Sequence, residues 1–195
     1  MSEDNPLGID TTKNYLAPSQ EIKIPELLPG SIIDIGGGGE GVIGQVGGKR
    51  ITAIDLREGE IEEAKRLAPD ANFVVADATN LPFEDEEFDH ATSFFTGMYM
   101  SNDIKEKAMK ETYRVMKKDG EFWYWDSVVQ EAEELYIIPI KYILPNGTVK
   151  QTGYGVKSYK DQTIPTIKKM LEKTGFQVEI IENHEHWYFL KAKKV

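Results

Sequence analysis

The chain has 195 residues, a net charge of −10 and no cysteine. That charge disfavours nucleic acid or an anionic membrane surface as a partner, since both call for a basic face. The missing cysteines exclude disulfides, thiolate metal sites and a cysteine nucleophile, and no stretch reaches the ~18 apolar residues that span a bilayer; a cytoplasmic single domain fits these facts.

Residues 1–30 read as a loop-like N-terminal segment with prolines at 6, 18, 25 and 29, and a short helix is expected around Glu21 to Leu28, limited by Pro25. Ser31 to Ile35 is a short apolar run ending in glycines, the pattern of a buried strand. Gly41 to Val46 reads as a short helix stopped by Gly47-Gly48. Ile51 to Asp55 is a second buried strand. Glu58 to Ala68 follows as a helix, with Ile61, Ala64, Leu67 and Ala68 at helical spacing.

Phe73 to Ala76 is a third strand, followed by an acidic loop from Asp77 to Glu87 that is too short for much helix. Phe88 to Phe95 forms a fourth strand. Ile104 to Met116 makes an amphipathic helix with Asp103 as its expected N-cap, and Glu121 to Val129 a fifth strand. Strands alternating with helices predict a parallel sheet covered on both faces. The core of the domain, which the glycine turn below marks as its cofactor-binding part, is expected over residues 31–129.

From 130 to 160 the rhythm changes. Tyr136 to Leu144 and Thr148 to Val156 flank Asn146-Gly147, a strong hairpin signal, with Tyr136, Tyr142, Tyr154 and Tyr159 along it. The closing part, 161–195, reads as a helix from Thr163 to Lys173 and strands from Phe176 to Ile181 and Trp187 to Ala192.

The first strand runs into Gly36-x-Gly38-x-x-Gly41, where glycines let the backbone turn sharply and a ligand come close. Alone, this fingerprint also suits a plain turn. Asp55, at the end of the second strand, stands where an acidic residue meets ribose hydroxyls, for a dinucleotide or an adenosyl ligand alike. Asp34 discriminates: a carboxylate beside the turn repels a pyrophosphate but tolerates a ligand bearing ammonium and sulfonium groups.

Asp34-x-Gly36-x-Gly38 resembles the first motif of class I S-adenosylmethionine-dependent methyltransferases. Asp77-Ala78-Thr79-Asn80-Leu81-Pro82-Phe83-Glu84-Asp85-Glu86-Glu87-Phe88-Asp89 is similar to a segment of their quinone-methyltransferase-like branch, and Tyr113 to Glu121 resembles the stretch before the fifth strand. The resemblance covers roughly residues 31–126. It departs at Glu40, where glycine is commoner, and at Asp119.

The resemblance implies a three-layer, doubly wound, Rossmann-like sheet of seven strands, mostly parallel with the last antiparallel, carrying the hairpin as an addition. It implies S-adenosyl-L-methionine as cofactor, with S-adenosyl-L-homocysteine as product. Asp34, Gly36, Gly38, Gly41, Asp55, Leu56, Asp77, Ala78 and Phe94 are the expected cofactor-binding residues, Asp55 taking the ribose hydroxyls, Asp77 the adenine amino group and Ala78 a backbone contact to the ring. No metal is expected.

Methyl transfer is an in-line displacement in which positioning supplies much of the rate, so a base is optional. Tyr99 is a candidate for the acceptor pocket and Asp126 a candidate general base, against simpler readings as packing and capping groups. Phe94, Phe95, Trp123 and Trp125 fit core packing as well as a site. His184 and His186 read as exposed surface residues and His90 as a strand boundary. The acidic charge, with no Asn/Asp-Pro-Pro-Tyr element after the fourth strand, points to a small-molecule methyl acceptor. The hairpin is expected to be a lid or a homodimer surface, against a plain sheet extension. Two alternatives stay open: a protein that holds the adenosyl ligand without turnover, and a nicotinamide-dependent oxidoreductase.

Overall fold

The computed structural model describes residues 9–157 and 162–195. In chain order the elements are β1 (Tyr15–Leu16), β2 (Gln20–Lys23), β3 (Ile32–Ile35), α1 (Val42–Gly47), β4 (Ile51–Asp55), α2 (Glu58–Leu67), β5 (Asn72–Val75), β6 (His90–Phe94), α3 (Asn102–Val115), β7 (Glu121–Ser127), β8 (Tyr136–Ile143), β9 (Val149–Val156), α4 (Ile164–Thr174), β10 (Phe176–Asn183) and β11 (Trp187–Lys194). Tyr159 lies outside the described residues.

Seven strands form the main sheet in the order β10-β11-β7-β6-β3-β4-β5. The inner strands pair in parallel, and β11 runs antiparallel to both β7 and β10. Strand order reverses between β3 and β6, so a crevice opens beyond their carboxyl ends.

Alternation along each strand divides the apolar side chains between two faces. Ile33, Ile35, Phe122 and Tyr124 pack with Met109 of α3 and with Ile167, Met170 and Leu171 of α4. Their neighbours Ile32, Trp123 and Trp125 join Val42 and Ile43 of α1 on the other side. There the third layer is not all helix, because Ile22, Tyr136, Ile138, Ile140 and Tyr142 of a second sheet complete the core.

This second sheet corrects the expected N-terminal helix. Instead of a helix at Glu21 to Leu28, β1 and β2 pair in parallel with β8, while β9 pairs antiparallel on its other edge. Ile22 and Ile24 are buried and Glu21 and Lys23 exposed, the period-two pattern of a half-buried strand. The added hairpin is thus part of a four-stranded layer.

Smaller differences have local causes. The fourth core strand begins at His90, because Phe88 makes only an isolated bridge to Met116, and it stops at Phe94, because Phe95 adopts φ 52. The N-cap position of α3 is Ser101 and not Asp103, which lies in the first turn, where its charge suits the helix dipole.

No helix separates β5 from β6. One side chain organises the loop in its place: Arg114 donates to Leu81 O at 3.1 Å, Phe83 O at 2.8 Å, Asp85 Oδ1 at 2.8 Å and Glu111 Oε2 at 2.8 Å. Glu111 also accepts from Leu81 N at 2.8 Å. Among the described residues, no helix is long and apolar enough to cross a membrane.

Candidate functional site

Beyond the carboxyl ends of β3, β4, β5 and β6 lies a cavity of about 730 Å³. Asp34, Gly36, Gly38, Gly41, Asp55, Leu56, Asp77, Ala78, Phe94 and Tyr99 all line it. Residues spread from Asp34 to Tyr99 therefore meet in one place because parallel strands bring their ends together.

The glycine turn shapes the floor. Gly36 has φ 72, and a Cβ there would stand 2.2 Å from Thr96 Cγ2. At Gly37 a Cβ would fall 2.3 Å from Asp34 Oδ2, and at Gly38 2.8 Å from Asp55 Oδ2. The turn is thus pressed against the carboxylates that the sequence singled out, and only glycine leaves that approach open.

Asp34 is 1% exposed and accepts from Thr92 Oγ1 at 2.8 Å. Burial pushes its carboxyl up to about 7; the Thr92 hydrogen bond works against the rise, and the Asp55 charge adds to it. Asp55 accepts from Arg57 N at 2.9 Å, fixing its rotamer at the mouth of β4. Asp77 accepts from Thr79 N and Oγ1, each at 2.8 Å, and these bonds hold its carboxyl below the ordinary value. Leu56 is 67% exposed, an apolar side chain left at the cavity edge.

The opposite wall comes from residues the motif did not announce. Gly153, Tyr154 and Gly155 of β9 line the same cavity, and the Tyr154 ring stacks on Phe95 at 5.5 Å and 10°. Thr96, Arg57, Glu60 and Lys107 also border it. The alternation of β9 is the one sequence signal for Tyr154, and it needs knowledge of what the hairpin packs against. Burial pushes the Tyr99 hydroxyl up to about 12, with Glu40, Glu60 and Asp126 adding to the rise and Arg57 opposing it. Asp34, Glu40, Asp55, Glu60 and Asp77 give five carboxylates against the two cations Arg57 and Lys107. This field suits a cationic ligand and opposes a pyrophosphate.

Asp126, the candidate base, is set apart. It is 0% exposed, lies outside the cavity lining, and accepts from Tyr124 OH and Ser127 N at 2.8 Å each. Burial lifts it to about 6, against the pull of these bonds, of Lys105 and of Gln162. Lys105 in turn donates to Gln162, whose Nε2 donates to Tyr188 OH at 3.2 Å. The group is a buried polar knot under the Gly97–Tyr99 turn.

Trp123 and Trp125 are core, Trp125 stacking on Phe189 at 4.1 Å. Phe94 and Phe95 do both jobs, packing below and lining above. Of the histidines, His184 is exposed, and His186 corrects the expectation: it is 4% exposed, with Nδ1 3.3 Å from Tyr136 OH. His90 is half-buried and accepts from Glu121 N at 3.1 Å. Among the described residues, no group of His, Asp and Glu is arranged to hold a metal ion.

A doubly wound sheet with a glycine turn and carboxylates at its switch point defines a Rossmann-like cofactor-binding fold. A family model described as a methyltransferase domain matches residues 33–124. A ubiquinone/menaquinone biosynthesis C-methyltransferase of Rickettsia felis is 33% identical over 141 residues, covering 68% of this chain and 55% of that protein. A demethylmenaquinone methyltransferase of Renibacterium salmoninarum is 41% identical over 73 residues, or 37% of this chain and 30% of that one. The chain spans about half or less of the length of these curated relatives. Among solved structures, an S-adenosylmethionine-dependent methyltransferase from Mesorhizobium loti superposes with a TM-score of 0.63 at 16% identity, covering 87% of this chain and 93% of that one, a likeness of fold. The chain belongs to the methyltransferase-domain family whose model matches residues 33–124.

Proposed function

We propose that this chain transfers a methyl group from S-adenosyl-L-methionine to a small-molecule acceptor. One observation carries the reading: the carboxylates of Asp34, Asp55 and Asp77, at the ends of three adjacent parallel strands, fence a glycine turn that a Cβ would fill. A ligand with a ribose, an adenine amino group and a cationic centre matches that fence, and a nicotinamide dinucleotide with its pyrophosphate does not.

When bound, the cofactor supplies an electrophilic methyl group on sulfonium. Asp55 would accept from the ribose hydroxyls and Asp77 from the adenine amino group, with Ala78 and Leu56 beside the ring. Asp34, with Gly36, Gly38 and Gly41, would hold the amino-acid portion. Phe94, Tyr99 and Tyr154 wall the acceptor end, where ring faces favour a positive centre. Orientation of the acceptor does most of the catalytic work, and no base is required of the chain. The relatives' names, which refer to ubiquinone and menaquinone, favour a planar acceptor for these aromatic walls. We read the β8–β9 hairpin as a cover for that end, in a cytoplasmic enzyme.

Calorimetry with S-adenosylmethionine, S-adenosylhomocysteine and NADH tests the cofactor. Saturable NADH binding without response to the adenosyl ligands overturns the reading. Asp55→Ala and Asp77→Ala each weaken adenosyl binding by roughly 1–3 kcal/mol, as for a lost buried hydrogen-bond partner. Label transfer from methyl-labelled cofactor into small molecules of a cell extract identifies the acceptor; binding with no transfer leaves a protein that holds the ligand without turnover.

A further inference from the structure

Strand β9 turns one edge of its pleat inward. Lys150, Thr152, Tyr154 and Val156 are opposite the buried Tyr142, Ile140, Ile138 and Tyr136 of β8, while Gln151, Gly153 and Gly155 between them are exposed. Three of these inward residues meet α1, the glycine turn and the end of β6 in succession, the last two at residues that line the cavity. Lys150 donates to Gln45 Oε1 of α1 at 2.5 Å, Thr152 Oγ1 donates to Glu40 Oε1 in the glycine turn, and Tyr154 stacks on Phe95 just past β6.

Glu40 is the one residue other than glycine between Gly36 and Gly41. It stands in the turn that lines the cavity, between Gly39 at φ 61 and Gly41 at φ 55, and it is the residue of that turn whose side chain bonds to β9. Gln45 Nε2 donates to Glu40 O at 2.6 Å, so α1, the turn and β9 are tied at one point. We propose that Glu40 is a positioning residue that couples the cofactor turn to the covering strand: occupancy of the turn is transmitted through the Thr152 hydroxyl to the β9 wall of the acceptor end. The coupling is reciprocal, since a turn held by its ligand strengthens the bond and the bond in turn strengthens ligand binding.

The inference rests on the proposed adenosyl site, and its test separates the two. Thr152 does not line the cavity, so Thr152→Val removes the hydroxyl without touching the ligand, and Thr152→Ser keeps it. The probe is S-adenosylhomocysteine, read by calorimetry and by amide exchange across 149–156. In the wild type, ligand slows exchange in β9. In Thr152→Val this response is lost and affinity falls about 2- to 10-fold, the range of one net hydrogen bond; Thr152→Ser restores both. Glu40→Ala in the Thr152→Val background adds less to the loss of β9 protection than it does alone. Unchanged thermal midpoints for both threonine variants exclude a folding defect. If the ligand binds but β9 exchange does not respond, or Thr152→Val responds like wild type, the coupling is wrong and the adenosyl site stands. If the wild type does not bind the ligand, the site assignment fails and the coupling with it.

Discussion

Thr92 Oγ1 donates 2.8 Å to Asp34 Oδ1 from the register position directly beside it on the neighbouring parallel strand, with both side chains sealed from water. The hydroxyl is what keeps a carboxylate at the heart of the sheet from rising further than about 7. Above that pH the group carries charge ready to face a cation. Below it, the site is neutral there.

A pH dependence follows. The Asp34 carboxyl is raised in the fold above its ordinary 3.8, so the folded state binds its proton more tightly than the unfolded chain. The group therefore lowers the stability of the ligand-free protein progressively as pH rises from about 4 to about 7, and adds no further loss above that. Affinity for a cationic adenosyl ligand moves the other way and climbs as pH rises toward about 7, with proton release on binding. Calorimetry near pH 6.5 in buffers of different ionisation enthalpy measures the release, and identical heats in all of them refute it. Thr92→Val shifts the affinity profile to higher pH.

Arg114 spans the loop that carries Asp77 and Ala78. Arg114→Ala is expected to cost about 2–3 kcal/mol, since its hydrogen bonds to charged and buried partners are lost together, and to weaken adenosyl binding through the loop. Arg114→Lys does not rescue, because an ammonium cannot reproduce a planar fork directed at two carbonyls and two carboxylates. Chemical denaturation beside ligand titration reports both effects.

Gly37→Ala drives a methyl group to 2.3 Å from Asp34 Oδ2 and 2.8 Å from Ala53 Cβ, both held by the sheet. The expected cost is about 1–3 kcal/mol of overpacking with loss of adenosyl binding. Gly59→Ala is the control: it lies in α2 with nothing within 4 Å of the new methyl and is expected to stabilise by up to about 1 kcal/mol. Equal behaviour of the two variants in melting and binding contradicts this reading of the turn.

Asp126→Ala removes a buried carboxylate from the knot that includes Lys105, Gln162 and Tyr124. Breaking such a group leaves buried polarity uncompensated, and the expected loss is about 3 kcal/mol. Cofactor affinity per folded molecule stays unchanged, because Asp126 does not line the cavity. A variant of normal stability with impaired ligand binding refutes that division.

The core was readable because its strands are mostly apolar and run into residues of distinctive chemistry. Ile32, Ile33 and Ile35 lead into glycines, Asp55 closes β4 and Asp77 follows two residues after β5, so pattern and site coincide. The second sheet was hidden for a physical reason. Tyr15 and Leu16 have no local partner to declare them a strand, and the alternation at Glu21 to Ile24 is too short to outweigh a helical reading. His186 was misleading by residue type, since it is buried with Tyr136 OH 3.3 Å from its Nδ1, a polar partner from far along the chain.

Strands β1 and β2 pair with β8 in parallel, joining Tyr15 to Tyr136 and Lys23 to Ile143. Closing a loop of about 120 residues is slow relative to the local strand–helix pairings of the core, because its chain entropy must be given up before any contact rewards it. During synthesis the first strands emerge long before their partner exists. The parallel pairings of the core around the glycine turn can therefore form while the cavity still stands open on its β9 side.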